Sequence, residues 1–101
     1  MSINLKAITV CIGYQQITDL SSAVGLTVPE KDKSGLRQMP TIALITPYTN
    51  NVRWRDDGTA PTGSVGMPLA AGVTLQYDGN LKAIQFINNG GSAELNISYY
   101  A

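Results

Sequence analysis

Residues 73–100 read VTLQYDGNLKAIQFINNGGSAELNISYY. Val73, Leu75 and Tyr77 alternate with polar residues, as do Leu95, Ile97 and Tyr99. Between these runs, Ile84 and Phe86 share one face and Ile87 takes the other. A period of two places alternate side chains on opposite faces of an extended chain, so each run predicts a half-buried β-strand. Asp78-Gly79 and Asn89-Gly90-Gly91 supply the turn residues between them. Three strands joined by tight turns predict an antiparallel meander.

The same logic extends upstream. Residues 52–56, VRWRD, put Val52 and Trp54 inward and Arg53 and Arg55 outward, and Asp57-Gly58 turns the chain. Residues 39–46, MPTIALIT, are apolar and β-branched and end at Pro47, predicting a strand covered on both faces. Residues 6–12, KAITVCI, set Ile8, Val10 and Ile12 against Thr9 and Cys11. Residues 17–26 break the alternation. Asp19 or Ser21 as a cap, Leu20, Ala23 and Val24 facing inward and Gly25 as a stop predict a short helix over about residues 18–25. Residues 28–37, VPEKDKSGLR, are charged and carry Pro29 and Gly35, as an exposed loop does. About six strands at these spacings predict an all-β, single-domain chain, an antiparallel β-sandwich, jelly-roll-like or a small barrel. Its expected core is Ile8, Val10, Trp54, Leu75, Ile84, Phe86, Leu95 and Ile97.

Composition narrows the task. The 101 residues carry seven Lys plus Arg, seven Asp plus Glu and no His. Neutral charge gives no field to steer the chain toward nucleic acid or an anionic membrane. No stretch approaches the ~20 apolar residues of a membrane span, and no secretory signal is visible. The absence of His removes the commonest general base and metal ligand. The single Cys11 cannot form an internal disulfide or a zinc site, and its apolar neighbours predict a buried, inert thiol. Asp56 and Asp57 are neighbours on opposite faces of a strand, which suits a turn better than paired carboxylate catalysis. The expectation is a protein that is not an enzyme and uses no cofactor or metal. Asn96-Ile97-Ser98 matches a glycosylation sequon inside an expected strand and is read as chance.

The segment VRWRDDGTAPTGSVGMPL at 52–69, then AAGVTLQYDGNLKAIQFI and AELNISYY, resembles a family of small virion proteins of tailed bacteriophages. Its members carry an Arg-aromatic-Arg-Asp-Asp-Gly-Thr strand and turn, a Pro-Thr and Gly-Met-Pro-Leu segment, and a last strand ending Ser-Tyr-Tyr. The opening ITVCIGYQQITDLSSAVGL is similar to the family's start. The resemblance covers nearly the whole chain, is strongest over residues 52–100 and is weaker over 27–47. It implies a structural role in the virion, after synthesis in a bacterial host cytoplasm. The expected role is a capsid decoration or cement protein, a homo-oligomer in contact with the major capsid protein or other virion proteins. The alternative is a tail- or capsid-borne module that grips a host glycan or receptor through loops such as residues 30–37.

Several residues are candidates for contact with a partner. Arg53 and Arg55 project from one strand face about 6.5–7 Å apart. Their forks suit a neighbour's carboxylates or carbonyls, or else a local network with Asp56 and Asp57. Residues 59–69 are restrained by Pro61, Gly66 and Pro68 and carry apolar Val65, Met67 and Leu69. They fit an arm packing on another subunit, or a loop closing this chain's own sandwich. Trp54 is read as core, with a sugar-stacking platform as the alternative. Tyr99 is expected inside, and Tyr100 outward or at an interface. The candidate interface is therefore Arg53, Arg55, Thr59, Pro61, Thr62, Val65, Met67 and Tyr100.

Overall fold

A computed structural model describes residues 10–29 and 39–101. Among the described residues eight strands are formed: β1 (Cys11–Ile17), β2 (Val24–Gly25), β3 (Ile42–Tyr48), β4 (Val52–Arg55), β5 (Met67–Leu69), β6 (Leu75–Tyr77), β7 (Gln85–Asn88) and β8 (Glu94–Tyr100). They make two four-stranded antiparallel sheets, ordered β1-β8-β3-β6 and β2-β7-β4-β5. The first strand pairs with the eighth, the second with the seventh, the third with the sixth and the fourth with the fifth. The chain is thus one long hairpin, rolled so that β8 also meets β3 and β7 also meets β4. Eight strands in two sheets wound this way are a jelly roll.

The core lies between the sheets. Ala43, Ile45, Leu95, Ile97 and Tyr99 from the first sheet meet Val52, Leu69 and Phe86 from the second, with Ile84 and Leu81 beside them, all buried. The alternation in β3 and β8 is complete, every second residue being buried. The inward positions Ile84, Phe86, Leu95 and Ile97 are as expected from the sequence. Trp54 and Leu75 pack against the core but stay half-buried, and Val73 is exposed. Val10 is also exposed, at 45%. It precedes β1 and exchanges backbone hydrogen bonds with Ala101, beyond the cover of the second sheet. Ile8 lies outside the described residues.

Several expectations are corrected. The opening strand starts at Cys11 and runs on through Gln15 and Gln16 to Ile17. The register with β8 shifts between Cys11 and Gly13, and Ile12 is buried while Cys11, opposite Tyr100, lies exposed on the other face, as the alternation places them. The thiol is therefore not buried. Its sulfur lies 3.5 Å from Ser98 Oγ. No helix forms over residues 18–25. Asp19 Oδ1 instead accepts from both the backbone N and the hydroxyl of Ser21, closing a bend, and Val24–Gly25 joins the second sheet beside β7. Leu20 is buried as expected. Pro47 does not end its strand. The pairing of β3 with β6 stops at Ile45, so the missing N–H at Pro47 breaks no bond on that side.

The meander is absent too, because β6, β7 and β8 alternate between sheets. Residues 78–84 and 89–93 bridge the two layers, which a two-residue hairpin turn would not do. The loop expected at residues 30–37 lies outside the described residues.

Two core tyrosines give the fold a pH limit. Burial pushes the hydroxyls of Tyr77 and Tyr99 up to about 12, and for Tyr77 a hydrogen bond to Asp56 adds to the shift. Between the ordinary tyrosine value and 12 the unfolded chain loses protons that the folded chain keeps. Stability is therefore full below pH ~10 and falls as pH rises toward 12. Thermal melts across that interval should show a steadily falling midpoint, and Tyr99→Phe should flatten the fall.

Candidate docking site

The strand β4 ends at Arg55 and the chain turns at once. Arg55 folds back on Asp57 as a two-pronged pair, Nε donating to Oδ1 at 3.0 Å and Nη2 to Oδ2 at 2.5 Å. Asp57 Oδ1 also accepts from Thr59 N at 3.3 Å. The Arg55 fork holds the Asp57 carboxyl below the usual carboxylate range. Gly58, at φ +89°, supplies the left-handed residue the turn needs. Gly58→Ala should therefore cost about 1 kcal/mol by backbone strain alone, since no other atom lies near an added methyl. An unchanged melting temperature would contradict this turn geometry. Asp57→Ala removes the fork's anchor and the Thr59 bond together and should cost a similar amount.

Asp56 works in the other direction. Its Oδ2 accepts from the Tyr77 hydroxyl at 2.6 Å, and the Tyr77 ring meets Trp54 edge-on at a centroid distance of 5.9 Å. The two adjacent carboxylates thus bind different partners: Asp57 takes the turn role expected of the pair, and Asp56 instead holds a side chain of β6.

Residues 59–69 contain β5 and fold onto β4 of their own sheet. Thr62 and Val65 exchange backbone hydrogen bonds, and Pro61 is buried. Arg53 Nη1 donates to the Gly66 carbonyl at 2.9 Å, and Arg53 Nε is buried without a hydrogen-bond partner. Gly66 sits at φ +144°, where an added Cβ would lie 3.1–3.2 Å from Arg53 Cβ, the Trp54 carbonyl and Pro61 Cβ. The segment is fastened along its length rather than being a free arm.

Two large apolar side chains of the segment remain exposed, beside the polar Thr59, Thr62 and Ser64. Val65 is 50% and Met67 56% exposed. With Trp54, Arg55, Asp56, Asp57 and Gly66 they line an open depression of about 380 Å³. The structure thus brings together Arg53, Arg55, Val65 and Met67, with Thr59 and Thr62 exposed on the same segment. It separates two others. Pro61 is interior and supports the segment from beneath. Tyr100 is half-buried on the outer face of the other sheet, where its hydroxyl accepts from Ser98 Oγ. The Arg pair is also used differently from a free double fork. Arg55 is committed to Asp57 and Arg53 to the Gly66 carbonyl.

Tyr77 shapes this site without having been a candidate for it, and Gly66, expected as a restraint on the segment, also supplies the carbonyl that holds Arg53. The Tyr77 hydroxyl reaches a carboxylate 21 residues upstream, and no local signal marks that pairing. Gly66 carried a signal, a glycine between two exposed apolar residues in a segment otherwise stiffened by prolines. Among the described residues no group of three His, Cys, Asp or Glu could hold a metal ion. No family model matches the chain, and no curated protein or solved structure matches it significantly.

Proposed function

We propose that this chain is a structural component of a tailed-phage virion, a decoration or cement protein that docks on the head by protein–protein contacts. The observation that supports this most directly is the exposed pair Val65 and Met67 on a segment that is already fixed. An apolar surface held in place before binding loses little conformational entropy when it docks. Interfaces are enriched in Met, Arg and aromatic residues, and this patch combines Met67, Arg55 and Trp54. Its partner is the major capsid protein or another virion protein, and repeated copies on a lattice make weak individual contacts sufficient. The jelly roll agrees by fold-level analogy alone, since viral capsid proteins and lectins both use it.

The test is Val65→Glu with Met67→Glu. Both side chains are exposed, so the isolated variant should melt within a few degrees of the parent. In purified virions it should be depleted at least tenfold relative to the parent chain. Incorporation at the parental level rejects this patch as the docking surface.

A second reading has its own observation. The Trp54 indole lines the depression beside two carboxylates, as a sugar-binding module would arrange a stacking surface and polar rim. That reading predicts saturable quenching of Trp54 fluorescence by neutral glycosides, with virion incorporation unaffected by the double Glu variant.

A further inference from the structure

The charge balance of the depression indicates what a partner must present. One guanidinium and two carboxylates line it. Arg55 and Asp57 neutralise one another through the two-pronged pair. Asp56 spends Oδ2 on the neutral Tyr77 hydroxyl and, among the described residues, makes no salt bridge. Outside the lining, Arg53 points to the Gly66 carbonyl, and Asp78 stands near enough to Tyr77 to help raise its hydroxyl. Neither belongs to the lining. Within it, and among the described residues, the negative charge not paired with a cation is that of Asp56, beside an indole and two exposed apolar side chains.

We infer that the depression is the seat of a basic side chain, a Lys or Arg presented by the docking partner. A basic side chain has the matching anatomy. Its methylene stem lies against Val65 and Met67, and its cationic head reaches Asp56 within range of the Trp54 ring. The proposal rests on the docking reading above and goes further by naming the chemistry of the partner's anchor. An acidic partner group is disfavoured in the depression, because the guanidinium that lines it, Arg55, is already paired with Asp57, and Arg53 lies outside the lining. A neutral sugar uses the indole but leaves the Asp56 charge unanswered.

The experiment uses the full chain and phage particles assembled without it. Asp56→Asn removes the charge while Oδ1 of the new amide can still accept from Tyr77, so the fold is retained and circular dichroism should be unchanged. The parent chain should bind the particles more weakly as salt rises, because the exposed pair is screened. Asp56→Asn should bind about two- to fivefold more weakly at low salt and lose most of that salt dependence. Treating the particles with reagents that block lysine and arginine should bring the parent chain down to the variant's level.

Asp56→Asn binding like the parent, with the same salt response, overturns the basic anchor. If Val65→Glu with Met67→Glu still abolishes binding in that case, the docking surface stands and only the anchor falls. If that variant binds normally as well, the docking reading falls too. Quenching of Trp54 by methyl glycosides, with particle binding indifferent to Asp56, also overturns the anchor and assigns the depression to a sugar.

Discussion

Phe86→Ala should destabilise the domain by about 3–5 kcal/mol, the range for removing a fully buried phenylalanine. Phe86 has no exposed surface and lies opposite Val24 on one neighbouring strand and Trp54 on the other. Its ring is therefore the packing link between β2, β7 and β4. Loss of the ring leaves a cavity facing Ile97, Leu95 and Tyr99, which rigid sheet backbones cannot close. A domain of this size has a total stability of roughly 5–15 kcal/mol, so the variant should stand close to its unfolding threshold. Denaturant titration should show a much lower midpoint with an unchanged slope. A loss under about 1 kcal/mol would mean that Phe86 is not at the centre of the second sheet.

The second large effect is expected at Gly66→Ala. Two costs combine there, a left-handed φ that alanine tolerates poorly and three atoms within 3.2 Å of the new methyl. Two of those atoms belong to backbone and to a buried proline, which cannot swing aside. We expect a loss of about 2–4 kcal/mol, clearly more than at Gly58, where the surroundings are open. The damage should be concentrated on residues 59–69. Arg53 would lose its carbonyl partner and Trp54 would become more exposed, so its fluorescence should shift to the red before the rest of the domain melts. Docking should fail in parallel. A Gly66→Ala protein that melts and docks like the parent would contradict the close approach of the segment to β4.

These two residues also show what the sequence alone could convey. Phe86 was legible, because its phase with Ile84 is a local property and burial follows from it. The same holds for Leu95, Ile97 and Tyr99. Strand partners were not legible, since alternation says which face is buried and nothing about which strand lies alongside. Hence the expected meander of β6, β7 and β8, where the chain instead crosses between sheets at each step. The buried thiol expected at Cys11 failed because apolar neighbours along the chain do not show whether a face is covered; alternation had already set Cys11 on the face opposite Ile12. The helix expected near residues 18–25 failed for a related reason. Asp19 can cap a helix or close a bend with the same hydrogen bond, and pairing of Val24–Gly25 with β7 decides between them.

At the site, the turn at Asp57-Gly58 was legible from local chemistry. Of the two readings of the Arg pair, the local network is the one formed at Arg55, with Asp57. The fate of Arg53 was not legible. A guanidinium on a strand face has the same spacing whether it awaits a partner or is consumed by the chain itself. The return of Gly66 to Arg53 resolves that, and it depends on a segment with no periodicity.

The position of β8 has a consequence for how the fold is assembled. The last of the described strands in chain order is the inner strand that joins β1 to β3. Until it is made, β1 has no partner in its sheet, and its seven residues must wait for the seven of β8. Such wide separation along the chain slows folding. A nascent polypeptide halted after β7 exposes two open edges at once, and such edges invite pairing with other chains. Products that stop short of β8 should therefore be cleared or aggregate rather than fold.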